Sequence, residues 1–255
     1  MGIMYHYPQY YDIAFSFRNI PAETNTIETL IQAHSQIPVR HMLELACGNA
    51  PYIAEFNKRG YQYTGLDISG NMLDFTREKV RKLGLNNVNF LQGNMVDFLL
   101  PEPVDFACLL LGSMYIDSPA DFVCHLDAVS AALKPGGLYL LEWCVEFEPV
   151  EDLEDSWQME QDGIRIDVHY AAKQLNRLDQ TYRETILLTV DDHGTPLELR
   201  EEAVKLAVYP QEFLLRIAAH PCFEFVGWWN DWDLSAPLTG DEQGINRPII
   251  VVRRS

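Results

Sequence analysis

The first 145 residues alternate short apolar runs with stretches of helical spacing. Residues 39–46, 61–66, 88–91, 104–111 and 138–142 are nearly continuous apolar runs, which read as five buried strands. Between them the period changes. At 71–83, Met72, Phe75, Val80 and Leu83 put an apolar stripe on one helix face, and Gly84 follows as a C-cap glycine. Residues 51–59 read as a shorter helix. Ser118, Pro119 and Asp121 open another, with a capping hydroxyl and a first-turn proline, and it stops at Lys134-Pro135-Gly136-Gly137. Strands apolar on both faces, separated by helices, predict a parallel sheet covered on both sides.

After residue 145 the rhythm is different. Ile164, Ile166, Val168 and Tyr170 alternate with Arg165, Asp167, His169 and Ala171, the period-two pattern of a half-exposed strand. Residues 181–190 and 199–208 also read as strands, joined by the turn Asp191-Asp192-His193-Gly194. The acidic stretch 149–163 reads as a linker. A helix at 210–219 and strands at 223–229 and 248–253 complete the chain. The expected class is α/β, with a mostly parallel sheet and a small antiparallel β lobe inserted after the fifth strand. Residues 1–145 and 210–255 would form the core, and 150–209 the lobe.

Composition narrows the class of partner. A chain of 255 residues with 47% hydrophobic positions can bury a sizeable core. Its net charge of −18 would be repelled by nucleic acid and by anionic membranes. The densest basic group, Arg77, Lys79, Arg81 and Lys82, reads as a solvated helix face. Five cysteines without a C-x-x-C pair argue against a disulfide framework and a structural zinc site, and suit a cytoplasmic protein with no metal. No signal peptide is legible at the N-terminus, and no apolar run is long enough to span a bilayer.

The strongest chemical signal is Leu43-Glu44-Leu45-Ala46-Cys47-Gly48-Asn49-Ala50, an apolar strand ending in small residues ahead of a helix. Small side chains there allow a ligand to approach the backbone; a tight turn with no ligand would use them as well. Asp67, 19 residues after Gly48 at the end of the second strand, can accept hydrogen bonds from ribose hydroxyls. A dinucleotide site would want further glycines, but Ala50 and Ile53 stand in the later positions, which disfavours an NAD oxidoreductase. The Glu44 carboxylate would repel phosphate and attract an ammonium group.

These motifs, in this order, resemble the class I (Rossmann-like) S-adenosylmethionine-dependent methyltransferases over a little more than half the chain. Glu44-Leu45-Ala46-Cys47-Gly48 resembles the family's glycine loop, with Asn49-Ala50 where x-G is usual. The run 63–69 with Met72-Leu73 resembles the ribose-binding strand end, and Gln92-Gly93-Asn94-Met95 the adenine loop, with Asn94 for the usual Asp. Val104-Asp105-Phe106 through Leu111 resembles the fourth strand, and 133–137 the turn before the fifth. The resemblance implies a seven-stranded sheet, S-adenosylmethionine as cofactor and S-adenosylhomocysteine as product. It places Glu44, Ala46, Cys47, Gly48 and Asn49 around the methionine end, and Asp67 on the ribose. Ile68, Met72, Asn94, Met95 and Leu111 would line the rest, with Tyr11 of an N-terminal Tyr-Asp element folding over the cofactor.

Methyl transfer from a sulfonium needs positioning and exclusion of water, and a base only if the acceptor must first lose a proton. Strand-end and lobe positions put forward Tyr115, Glu142 and His169 as catalytic candidates, with Ser113, Met114 and Trp143 nearby, whereas His125 reads as a core histidine. The inserted lobe resembles those that cover the substrate in small-molecule methyltransferases. The expected partner is thus a small-molecule acceptor, methylated on N or O, with no nucleic acid or membrane, and a monomer or homodimer. A non-catalytic member of the same fold is the alternative, which a blocked substrate cavity would favour.

Overall fold

Five apolar strands lie parallel through the middle of the molecule, because each is flanked on both sides by helices. The computed structural model describes residues 2–150 and 152–255. After a 3₁₀ turn at Ile3–His6 come α1 (Pro8–Ala14) and α2 (Ile20–His34), then β1 (His41–Leu45), α3 (Ile53–Lys58), β2 (Gln62–Asp67) and α4 (Gly70–Leu83). There follow β3 (Val88–Gln92), β4 (Val104–Leu109), α5 (Pro119–Ala132) and β5 (Leu133–Glu142). A second group, β6 (Leu153–Gln161), β7 (Ile164–Asn176), β8 (Thr181–Asp192) and β9 (Thr195–Leu206), precedes α6 (Pro210–Ala219), β10 (Phe223–Asn230) and β11 (Pro248–Arg254).

The main sheet has the order β10-β11-β5-β4-β1-β2-β3. β1 to β5 pair in parallel, and β11 runs antiparallel to both of its neighbours. Alternate side chains feed two cores, Leu43, Leu45, Leu109 and Leu141 on one face and Met42, Phe106, Cys108 and Leu140 on the other. All six residues of β4 are buried, including Asp105, whose carboxylate accepts from Arg40 N, His41 N and Lys134 Nζ. Strand order reverses at β1/β4, so a crevice opens beyond the carboxyl ends of these two strands.

The lobe is an antiparallel sheet in the order β6-β7-β8-β9. Its apolar face, including Ile166, Val168, Leu188 and Leu199, packs on Met4, Ile13 and Ala14. Trp157 Nε1 donates to the Ala14 carbonyl at 2.8 Å, and Tyr10 Oη donates to Asp192 Oδ2 at 2.7 Å. The N-terminal segment is therefore held by the lobe.

The local signals correspond to what forms. Ser118 Oγ accepts from Asp121 N, and Gly84 ends α4 at φ 65°. His125 is enclosed, between the Met95 carbonyl and Tyr139 Oη. Arg77, Arg81 and Lys82 pair with acids on their own helix. Two expectations fail. The stretch 149–163 is not a linker throughout, because Leu153–Gln161 forms an edge strand. Glu154 and Glu160 face solvent while Trp157 and Met159 are half-buried against the N-terminal segment, so composition concealed the pairing. The helix expected at 51–59 is shortened to Ile53–Lys58, because the loop before it takes left-handed backbone at Ala50, φ 44°.

Candidate active site

The loop after β1 is built from left-handed residues: Ala46 (φ 49°), Gly48 (φ 51°) and Ala50. Such backbone is strained for alanine, by about 1 kcal/mol or more at each position. Asp67, at the end of β2, holds the loop in place. Its Oδ2 accepts from Gly48 N at 2.7 Å and its Oδ1 from Ser69 N at 2.7 Å. Burial raises the Asp67 pKa above the ordinary value, while the backbone donors pull against that shift.

Beside this loop lies a cavity of about 230 Å³. Tyr11, Ala46, Gly48 and Asp67 line it on one side, and Ile68, Met72, Asn94 and Met95 on the other. Ile68 is 56% exposed, an apolar face left open where the flat part of a ligand can stack. Asn94 Oδ1 accepts from Val96 N at 3.0 Å, which holds the loop that carries it. No lysine, arginine or histidine lines this cavity among the described residues, whereas Asp67 and Glu201 do.

Four of the expected cofactor residues stand elsewhere. Glu44 is enclosed beneath the loop and accepts from Tyr63 Oη at 2.6 Å. Cys47 packs inward, and its Sγ lies 2.7 Å from where a Cβ on residue 65 would sit, so Gly65 is required there. Asn49 faces the N-terminal segment and donates to Asp12 Oδ1 at 2.6 Å, with Lys79 on the same carboxylate at 3.3 Å. Leu111 lines a neighbouring chamber instead.

Burial pushes the Glu44 pKa up to about 7, from 4.5. The folded protein therefore keeps this proton over a range where the unfolded chain has lost it. Folding then takes up a proton between about pH 4.5 and 7, and stability falls as pH rises through that window. Thermal melts at pH 5 to 8 should slope downward in the wild type and less so in Glu44→Gln. An equal slope in both would rule out this assignment.

The neighbouring chamber, about 360 Å³, lies between the carboxyl ends of β4 and β5 and the lobe. It shares Tyr11, Ser113 and Tyr115 with the smaller cavity. Tyr115 Oη donates to Glu184 Oε1 at 2.6 Å, and Lys205 Nζ bridges Glu184 Oε2 at 3.1 Å and the Gly112 carbonyl at 2.7 Å. Burial and the Glu184 carboxylate raise the Tyr115 pKa well above its usual value, so the phenol keeps its proton.

Of the three catalytic candidates, the fold brings only Tyr115 to the chambers. Glu142 is fully enclosed: its carboxylate meets Arg18 at 3.1 Å, Arg247, Trp232 Nε1 at 3.2 Å and Leu111 N at 2.7 Å. It thereby fixes the loop after β4. His169 lies on the strand face opposite Tyr170, paired with Ser156 Oγ at 3.1 Å, because alternation turns it away from the chamber. Several residues that line the sites were not identified from sequence: Glu146, Trp157, Glu184, Glu201 and Lys205. A signal existed for two of them. Glu184 and Lys205 fall at inward positions of β8 and β9, where the alternation predicts apolar residues.

Residues 42–137, from β1 into β5, match the methyltransferase-domain family. A demethylmenaquinone methyltransferase from Listeria welshimeri is 32% identical over 102 residues, which cover 38% of this chain and 42% of that enzyme. The match thus spans less than half the length of that relative. An S-adenosylmethionine-dependent methyltransferase from Clostridium acetobutylicum superposes with a TM-score of 0.77 at 16% identity, over 96% of this chain and 95% of that one. CalS10, an amino pentose methyltransferase from Micromonospora echinaspora solved with S-adenosylmethionine bound, gives 0.72 at 19% identity, over 94% and 93%. The fold is that of the Rossmann-like class I methyltransferases. Residues 42–137 are thus similar to the methyltransferase-domain family, and the likeness of fold extends over nearly the whole chain.

Proposed function

We propose that this protein is an S-adenosylmethionine-dependent methyltransferase acting on N or O of a small molecule held in the larger chamber. The observation that carries the reading is the shared wall. Tyr11, Ser113 and Tyr115 line both cavities, so a ligand in one can present a reacting group to a ligand in the other. The smaller cavity suits this cofactor, because acids and apolar side chains line it and, among the described residues, no lysine, arginine or histidine does. A sulfonium and an ammonium are welcome there, whereas a pyrophosphate would be repelled. When bound, the cofactor supplies an activated methyl group.

The chain's own residues supply position and dryness. Asp67 accepts from the ribose hydroxyls, and Ile68 and Met72 pack on the adenine. Asn94 and Met95 close its edge. Tyr115, whose proton is committed to Glu184, turns oxygen lone pairs toward the junction and can accept a hydrogen bond from the acceptor. The lobe, residues 150–209, with the N-terminal segment, covers the acceptor and excludes water. Both cavities are built from one chain, so a monomer has a complete site. An open chamber of this size speaks against a purely non-catalytic member of the fold. Calorimetric titration should give binding of S-adenosylhomocysteine and none of NAD, and labelled methyl should pass to members of a small-molecule panel. Binding of NAD alone would overturn the reading.

A further inference from the structure

The larger chamber has an unusual wall. Phe15 and Phe17 both meet Trp157 edge-on, with ring centroids 5.7 and 5.9 Å apart and interplanar angles of 66° and 78°. Tyr11 packs on Phe15 at 4.5 Å, and Trp143 and Tyr170 continue the lining. Phe15 and Phe17 are themselves inclined at 50°, so the three rings form a box of mutually tilted rings whose faces carry negative electrostatic potential, which favours organic cations.

The charges in the wall lean the same way. Two bases line the chamber, and both are already neutralised. Lys205 is paired with Glu184, and Arg247 sits in a four-membered cluster with Arg18, Glu23 and Glu142. Of the remaining acids, Glu146 has no ion-pair partner within 4 Å among the described residues, and neither has Asp155. The charged groups that Glu146 feels are Lys205 and Glu184, already bound to each other, and its side-chain partner is the Tyr182 hydroxyl.

Resting on the methyltransferase reading, we infer that the acceptor is an amine that enters as a cation, selected by the Phe15–Phe17–Trp157 box and by Glu146. The amine becomes a nucleophile by giving one N–H proton to the Glu146 carboxylate, which frees the nitrogen lone pair and leaves both groups neutral. Burial, which raises the Glu146 pKa, assists that transfer. After methyl transfer the nitrogen is again positive, and the sulfur of the cofactor is neutral.

Recognition can be tested without the true acceptor. Choline and its neutral isostere 3,3-dimethylbutan-1-ol are titrated into the full chain by ligand-observed NMR, with and without S-adenosylhomocysteine. Binding of S-adenosylhomocysteine is measured separately, so failure of the cofactor reading shows there and not in the cation comparison. The wild type should prefer choline by roughly tenfold or more. Glu146→Gln should reduce that preference to about threefold or less, with affinity for the isostere unchanged. Phe17→Leu, at the open edge of the box, should also reduce it and carries the test if the first variant does not fold. Equal affinities in the wild type, binding of neither probe, or an undiminished preference in a folded Glu146→Gln would overturn the inference.

Discussion

Replacing Glu142 by alanine is expected to destabilise the protein by about 3 kcal/mol or more, because it takes a carboxylate partner from the buried Arg18 and the half-buried Arg247. Arg18 and Arg247 both turn their charge toward this carboxylate, whose side chain is fully enclosed. The same change removes acceptors from Leu111 N and Trp232 Nε1. Arg18 keeps Glu23 at 2.7 Å, which limits its share of the loss. Glu142→Gln keeps oxygen and shape and should cost less. Urea unfolding of both variants measures the effect. A Glu142→Ala protein of native stability that merely loses methyl transfer would restore Glu142 as a catalytic group, the role its place at the end of the fifth strand suggests.

Asp67→Ala should weaken cofactor binding by at least about ten- to a hundredfold. Losing charge-assisted bonds to two ribose hydroxyls accounts for on the order of 1.5–3 kcal/mol. The variant also frees Gly48 N and Ser69 N, so the strained loop loses the anchor that holds it open for ligand. Because burial raises the Asp67 pKa, wild-type affinity should decline on acidification before ordinary carboxylates titrate. Asp67→Asn, which has one acceptor oxygen, should fall between wild type and alanine. Calorimetry with S-adenosylhomocysteine decides the matter, and an unchanged dissociation constant would remove Asp67 from the ribose site.

Much of the smaller cavity was legible in the chain, for a local reason. A glycine loop, an acid at the next strand end and the 93–95 loop each sit where a strand stops, and parallel pairing of β1, β2 and β3 brings those ends together. Eight of the twelve expected cofactor residues line the cavity. The other four could not be separated by spacing. Glu44 and Cys47 belong to the same short motif as Ala46 and Gly48, and only packing against Tyr63 and Gly65 turned them inward.

The larger chamber was not legible in this way. Its wall joins Phe15 and Phe17, Ser113 and Tyr115, Glu146, Trp157, Glu184 and Lys205, positions drawn from most of the chain. Amino-acid periodicity reports the face on which a residue lies, not the distant segment that face will meet. The sequence by itself determined the alternation of strands and helices and the residues at the strand ends, because these follow from local spacing and from the rules of parallel sheets. Tertiary structure alone decided that Glu142 is a buried ionic hub, that His169 turns away, and that Glu146 lines one chamber with Phe15, Phe17 and Trp157. Those outcomes depend on how the lobe docks against the N-terminal segment and the main sheet, and that docking is set by contacts between residues more than a hundred positions apart, such as Trp157 with Ala14.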